Sequence, residues 1–399
     1  MNPPVPTALR YNAHGVAKPF ILYGWHLSYY SGKVRCYLRH KQIPFIDTPV
    51  DFVTLMMRIK RHTGAVVMPV VVTPQGEWLQ DSSAIIDELE RRFPERSITP
   101  TTPVRAFAAY LLETWGDEWW IPVAMHTRWS YPENYPLFER DGGAALLPHW
   151  PRFLRDRAVK TAANSMRSYL SRVGIVPEQT PLLEHWTVDM LDALDSHFAA
   201  HKFLLGDAPT IADFGLIGPM YGHLGRDPWP KRELVDPRKA LRAWIDRMAE
   251  PDASVPSPTA TSDEIPASLT PVFRSIAGEF LPMVEATLEA VNRHVKSGAR
   301  DVDGALPRGL DPISYPLGAG QFTRTAVPFV LWKIQRLNGV YRAMGANEQG
   351  AVRRWLETID CARLLDLPIP HLRRVALRVA IEPQAQAAMT VASLDRALA

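Results

Sequence analysis

Ser28 and Ser31 stand three residues apart where a short apolar run, Pro19-Phe-Ile-Leu-Tyr23, gives way to helical spacing. A hydroxyl at the end of a strand and the head of a helix can donate a hydrogen bond to an anion, and the positive end of the helix favours negative charge there. The anion that suits such a turn is a thiolate. A free thiol ionises near a pKa of about 8.5, and only its anion is the nucleophile, so a catalyst has to favour the ionised form. In that chemistry Ser28 activates a bound thiol rather than attacking, with Ser31 as its competitor. The hydroxyls of Tyr23, Tyr29 and Tyr30 lie near the same turn, and a plain helix cap is the other reading of Ser28. A second candidate pair, Asp81-Ser82, precedes another helical pattern. Asp81 can pair with an ammonium, and Ser82 with the adjacent backbone N–H can hold a carboxylate, so together they suit a zwitterionic amino-acid end. Either residue also serves as a simple N-cap.

The elements that must position these groups follow from hydrophobic periodicity. Pro19 to Tyr23 reads as a buried strand, and Val34, Tyr37, Leu38 and Ile43 recur as one face of a helix that begins near Ser31. Pro44-Phe45-Ile46 and Val50-Asp51-Phe52 permit a second strand. Val66 to Val72 and Gly76 to Leu79 read as a hairpin joined by Thr73-Pro-Gln-Gly76. A helix follows Asp81-Ser82 and stops before Pro94. From Pro103 the pattern turns to long helices, over Val104–Trp120, Pro151–Val173 and Pro181–Ala200, with no strand between them. Thr210 and Asp213 form a capping box with Asp in place of the usual Glu. Residues 251–265 are rich in Pro, Ser and Thr and read as a linker. Beyond them Leu269, Val272, Phe273, Ile276, Phe280, Val284 and Leu288 share one helical face, and Val327–Tyr341 gives another helix. The expected organisation is a tail over 1–18, an α/β unit over 19–97, an all-helical unit over 103–250, the linker, and a mainly helical extension over 266–399.

Composition narrows the class further. A chain of 399 residues with 46% hydrophobic and 22% charged residues is an ordinary folded protein with more than one core. Its net charge of +3 comes without any Lys/Arg-rich run, which argues against a nucleic-acid partner. The first 18 residues lack the pattern of a signal peptide, and no long uncharged apolar segment occurs, so a cytoplasmic protein without membrane insertion is expected. The two cysteines, Cys36 and Cys361, lack metal-ligand spacing and read as packed thiols, with no metal site. The 36 prolines suit helix starts and loop stops, and the 12 tryptophans suit cores or a pocket for flat apolar ligands.

Four linked motifs carry a resemblance to a family. Leu22-Tyr-Gly-Trp-His-Leu-Ser28-Tyr-Tyr-Ser31-Gly-Lys-Val-Arg35 resembles the strand-to-helix turn of glutathione transferases, which bears their catalytic Ser or Cys. Met68-Pro69 is similar to their cis-proline step, Gln80-Asp81-Ser82-Ser-Ala-Ile85 to their acidic-Ser motif, and Thr210-Ile-Ala-Asp213 to the capping box of their helical domain. Order and spacing make the set specific, and it covers about the first 250 residues. The sequence departs from a common family pattern by placing Tyr29 where Pro often follows the active residue.

The resemblance implies a thioredoxin-like N-terminal domain followed by an all-α domain. It also implies a detoxifying, glutathione-dependent transferase, a homodimer, and glutathione as co-substrate. By resemblance Asp81 and Ser82 hold the γ-glutamyl end, and a cis Pro69 leaves the backbone of Met68 free to pair with the cysteinyl residue. Lys41 and His62 read either as contacts for the glycyl carboxylate or as solvated surface.

On the helix that faces the active turn in this family, Trp119, Met125 and Trp129, with Tyr29 and Tyr30, either wall an apolar electrophile pocket or build a core or dimer interface. His126 and Arg128 take no assigned role, and Arg324 in the extension reads as a solvated charge. Ser rather than Cys at the turn favours conjugation, substitution or ether cleavage over disulfide exchange, because a hydroxyl forms no mixed disulfide. The alternative is a non-catalytic interaction protein that uses the extension, a pocket lid or second interface, as a docking surface.

Overall fold

The apolar run that ends at Tyr23 forms strand β1 (Phe20–Tyr23). In the computed structural model of the chain, which describes residues 18–252, 262–299 and 303–382, it lies inside a four-stranded sheet. It runs parallel to β2 (Phe45–Thr48) and antiparallel to β3 (Val70–Val72), which pairs in turn with β4 (Trp78–Gln80). The parallel pair requires a crossover, and α1 (Tyr29–His40) supplies it. The β3–β4 hairpin closes at Gly76, whose φ of +91° only glycine adopts without strain. Val50 to Phe52 add nothing to the second strand. Asp51 instead accepts from the backbone N–H of Thr54 at 2.7 Å, starting a π-helical turn that continues into α2 (Lys60–Thr63). Helix α3 (Ser82–Arg92) packs beside α1, and Leu22, Val34, Leu38, Val71, Ile85 and Leu89 are all fully buried between sheet and helices.

The helical half comprises α4 (Pro103–Glu118), α5 (Ile121–Trp129), α6 (Tyr135–Leu146), α7 (Arg152–Arg167), α8 (Thr180–Ala200), α9 (Ile211–Pro219), the short α10 (Pro228–Pro230) and α11 (Lys239–Ala249). Its axis is the contact of α4 with α9, where Gly116 faces Gly215. A Cβ on Gly116 would stand 2.7 Å from the Gly215 carbonyl carbon and 2.8 Å from the Leu216 nitrogen. Backbone cannot yield as a flexible side chain does. Gly116→Ala is therefore expected to lose about 1–3 kcal/mol, read as a lower urea midpoint, whereas Gly278→Ala, with open space around it, leaves the midpoint unchanged or raised.

At the start of α9, Asp213 accepts from Thr210 N–H at 2.9 Å, Leu204 N–H at 2.9 Å and Trp244 Nε1 at 3.0 Å. The capping box thus also ties α9 to α11. Burial pushes this carboxyl up to about 6, against the pull of those hydrogen bonds. Pro219 closes α9, and the chain goes on through a π-helical turn, Met220–Leu224.

The last third is α12 (Thr270–Ser275), α13 (Leu281–Lys296), the hairpin β5 (Pro312–Leu317) and β6 (Gly320–Thr325), α14 (Phe329–Arg342), α15 (Ala346–Thr358), and the hairpin β7 (Leu372–Val375) and β8 (Arg378–Ile381). The expected helical face from Leu269 to Leu288 runs through α12, a π-helical turn and α13. The two hairpins depart from a purely helical extension. Their cause is the period-two pattern of Ile313, Tyr315 and Leu317, which are buried while Pro312 and Ser314 are exposed. Arg324, read as solvated, is instead buried, with its guanidinium 5.8 Å from the Tyr315 ring centroid.

Helices α14 and α15 pack on α4, and Leu331, Ile334 and Leu337 join the same buried cluster as Phe107 and Leu111. Of the stretch read as a linker, residues 253–261 lie outside the described residues. Its end is anchored, since Asp263 accepts from Val104 N–H at 3.0 Å at the head of α4. Cys36 and Cys361 are buried, and burial pushes each thiol up to about 12. Among the described residues no helix is long and apolar enough to cross a membrane.

Candidate functional site

Ser28 is the N-cap of α1, with extended backbone (φ −92°, ψ 128°), and its Oγ accepts from Ser31 N–H at 3.3 Å. Capping uses a lone pair and leaves the hydroxyl proton free to be donated. The turn before it is held from behind. The guanidinium of Arg128, on α5, donates to the carbonyls of Leu27 and Gly222 and forms a two-pronged pair with Asp227 at 2.8 and 3.1 Å. His223 donates from Nδ1 to Ala124 O at 3.0 Å and presents Nε2 to Arg128. Burial and then the neighbouring Arg128 hold His223 far below its ordinary pKa, so it stays a neutral acceptor. The π-helical turn after Pro219 brings both Gly222 and His223 to this clamp.

Ser31 is not open to a ligand. It is 0% exposed, its Oγ has no partner among the described residues, and it faces Gly24 behind the turn, because the third residue of the helix points inward when the first N–H groups point at the cap. Nor are the tyrosine hydroxyls free. Burial pushes both Tyr29 and Tyr30 well above the usual phenol range, so they remain protonated, and they donate to the carbonyls of Gly116 and Asp117. These carbonyls belong to the last turn of α4, where no intrahelical donor remains. The Tyr29-Tyr30 pair thereby ties the head of α1 to the foot of α4.

The Met68–Pro69 peptide is cis. Asp81 caps α3, with Oδ1 accepting from Ser83 N–H at 3.1 Å and Ala84 N–H at 3.0 Å. Its φ of +77° is unusual for a residue with a side chain, and it aims the residue into a cavity while the cap holds it there. That cavity, ≈ 140 Å³, is lined by Tyr30, Met68, Pro69, Gln80, Asp81, Ser82 and Glu118, and by Arg308, Val327, Phe329, Lys333, Ala376 and Leu377 from the last third of the chain. A second, larger cavity of ≈ 1140 Å³ is lined by Ser28, Tyr29, Met125, Trp129, Phe138, His223 and apolar residues of α6 and α7. Tyr30, Met68, Ile121 and Arg308 line both, so the two share a wall beside Ser28. Phe52, Val66, Trp150 and Met166 are exposed apolar residues on the larger cavity.

Two expected residues lie elsewhere. Trp119 is 4% exposed and packs edge-on against Trp186 and Phe280, with centroids at 5.9 and 6.0 Å, so it belongs to the core rather than the pocket. The ammonium of Lys41 donates to the carbonyls of Phe93 and Glu95 and pairs with Glu90 at 2.9 Å, closing the end of α3 away from the site. His62 is stacked on Trp78 at 4.2 Å, near Gln80. His126 is bonded to Ser130 and Glu184 and lines neither cavity.

Sequence reasoning missed a group of charges behind Ser82. Lys33 Nζ lies 2.6 Å from both Glu113 and Asp117, and Lys333 Nζ lies 2.6 Å from Asp117 and donates to Ser83 Oγ. Arg336 bridges Asp87 and Glu113. Burial alone would raise the Glu113 carboxyl, but Arg336, Lys33 and Lys333 together hold it well below the usual range. Only the acidic spacing of Glu113, Asp117 and Glu118 on α4 could have signalled this in advance.

A mixed four-stranded sheet flanked by helices, with a cis-proline before its antiparallel hairpin, leads into a helical domain: this is a thioredoxin-like domain joined to an all-α domain. Residues 22–97 match the model of the glutathione S-transferase N-terminal domain, and residues 187–247 that of the glutathione S-transferase C-terminal domain. These two stretches are similar to the paired N- and C-terminal domains of the glutathione S-transferases. Among solved structures, a glutathione S-transferase from Methylobacterium radiotolerans in complex with glutathione sulfonate is 20% identical, with a TM-score of 0.35 over 62% of this chain and 100% of that one. A beta-etherase from Sphingobium sp. is 17% identical, with a TM-score of 0.39 over 59% and 97%. A glutathione S-transferase from Methylobacillus flagellatus with glutathione bound is 19% identical, with a TM-score of 0.37 over 59% and 96%. No curated protein matches this sequence.

Proposed function

We propose that the chain is a glutathione-dependent transferase. Glutathione lies with its γ-glutamyl end at Asp81 and Ser82 and its cysteinyl backbone along Met68. Its sulfur reaches Ser28, whose hydroxyl donates to the thiolate while the head of α1 adds favourable charge. An apolar, aromatic electrophile occupies the larger cavity against Met125, Trp129 and the rings of Tyr29 and Tyr30, and takes the thiolate by substitution, addition or ether cleavage. The observation that carries this reading is the shared wall. A small cavity that bears the carboxylates of Asp81 and Glu118, suited to an amino-acid end, and a large apolar cavity share a wall near the Ser28 hydroxyl.

The test is calorimetric titration of glutathione into the wild type and Ser28→Ala, with the ultraviolet absorbance of the bound thiolate followed against pH. Both proteins are expected to bind. A hydrogen bond to a charged group is worth about 1.5–3 kcal/mol, so the bound thiol should ionise about one to two pH units higher in the variant. No binding in the wild type overturns the reading.

A further inference from the structure

We propose that the mouth of the larger cavity is a docking surface for an anionic lipid bilayer, on which the protein sits peripherally and from which an apolar electrophile passes into the cavity. The docking rests on this surface alone, and only the delivery of an electrophile rests on the transferase reading. Two segments meet at that mouth. Phe52, Leu55 and Val66 line the cavity from residues 51–66, and Trp150, Leu154 and Met166 line it from residues 149–170, which include α7.

These segments hold most of the large apolar surface that the fold leaves in water. Among the described residues eleven large apolar side chains are exposed, and eight of them fall here. Phe52, Val53, Met57 and Val66 belong to the first segment, and Trp150, Phe153, Met166 and Tyr169 to the second. Single exposed apolar residues are ordinary, whereas a cluster of them with a polar rim marks a contact surface.

Charge decides the occupant. The first segment carries Arg58, Lys60 and Arg61 against Asp51, and the second carries Arg152, Arg155, Arg157, Lys160 and Arg167 against Asp156. Together they hold a net +6 in a chain whose total is +3, so the rest of the molecule is net negative. Helix α6, packed on α7, takes back one charge through Glu139. Asp51 is spent on the backbone of Thr54, and Asp156 faces Arg152 at 3.7 Å. The exposed side chains of Arg58, Lys60, Arg61, Arg157 and Lys160 have no ion pair or hydrogen bond among the described residues.

A second copy of the chain would set this positive surface against itself across a symmetric contact, which like charges oppose. A nucleic acid would match the charge but leave Val53, Met57, Val66 and Met166, which have no ring to stack, in water. An anionic bilayer suits both features, with headgroups for the cations and, just below them, acyl chains for the apolar side chains. The cavity of ≈ 1140 Å³ begins among those same side chains, so a solute dissolved in the acyl layer reaches it without crossing water.

Co-sedimentation of the full chain with vesicles tests the proposal. At about 0.1 M salt the protein should partition onto phosphatidylcholine vesicles containing phosphatidylserine far more than onto phosphatidylcholine alone, and about 0.5 M salt should release it. Each cation near such a surface is worth about fivefold in partitioning, so Lys60→Gln/Arg61→Gln/Lys160→Gln should weaken binding about a hundredfold. Met57→Ser/Phe153→Ser should weaken it with the charges intact. The same change of net charge elsewhere, in Lys202→Gln/Lys296→Gln/Arg354→Gln, should leave binding as in the wild type. All these side chains are exposed, and unchanged urea midpoints establish that the variants fold.

No binding of the wild type to the anionic vesicles, equal binding to both vesicle types, or equal losses in the two triple variants would overturn the proposal. Self-association or DNA binding that Lys60→Gln/Arg61→Gln/Lys160→Gln abolishes, without vesicle binding in the wild type, would assign the surface to a second copy or to nucleic acid instead. None of these measurements involves glutathione, so the transferase reading stands or falls separately.

Discussion

Lys333→Met is expected to destabilise the protein by about 3–5 kcal/mol, a large part of a typical folding free energy of about 5–15 kcal/mol. The ammonium of Lys333 is the C-terminal third's answer to Asp117, 216 residues away in sequence, and both side chains are essentially inaccessible to water. Methionine fills a similar volume but leaves Asp117 short of one of its two cations and Ser83 short of a donor. The urea midpoint, followed by tryptophan fluorescence, should fall accordingly. Adding Asp117→Asn to Lys333→Met should recover a good part of the loss, because removing both charges avoids the orphaned one.

The effect has a pH signature. The folded-state pKa of Glu113 is depressed, so its contribution is fully present above its unfolded value and disappears only as pH falls through the folded one. Without Lys333 that depression shrinks, and the variant should lose stability earlier than the wild type as pH is lowered below about 4.5.

Arg128→Met is the second large effect, again about 3–5 kcal/mol, with a consequence for chemistry as well. It leaves Asp227 buried without its partner and frees the carbonyls of Leu27 and Gly222, which set the path of the turn into Ser28. Methionine packs but donates nothing. Where the variant still folds, at low temperature, the bound thiol should ionise at higher pH, as in Ser28→Ala, although Ser28 itself is intact. Arg128→Lys should rescue little, because one ammonium cannot reproduce a planar guanidinium that serves two carbonyls and a two-pronged carboxylate. Thiolate absorbance against pH checks the chemistry, and the urea midpoint checks the stability.

Local signals were the ones the sequence displayed. Thr210 and Asp213 are three residues apart, and Asp81 with Ser82 directly precedes its helix, so caps and turns could be read without any tertiary knowledge. The order of Ser28, Met68-Pro69 and Asp81-Ser82 was enough to outline one face of the candidate site. Helical phase decided what spacing left open. Ser28 is the cap with a proton to give, whereas Ser31, one turn on, is turned into the protein.

Distance in sequence hid the rest. Trp119 and Trp129 look alike in an aromatic stripe, and only the packing of Trp186 and Phe280 shows that the first belongs to the core. The role of Lys333 depends on Asp117 and that of Arg128 on Asp227, 99 residues away, and no periodicity announces such pairings. The hairpin β5–β6 was obscured because its alternating residues follow a long helical pattern and begin at Pro312.

The fold of α14 against α3 and α4 also bears on dilution. Residues 308–377 contribute Arg308, Phe329, Lys333 and Leu377 to the smaller cavity from the same polypeptide that carries Asp81 and Glu118. A pocket completed by a second copy of a chain is half empty whenever the copies are scarce. Here both sides of the pocket are made in one act of synthesis, so the completeness of this wall is the same at nanomolar and at millimolar protein.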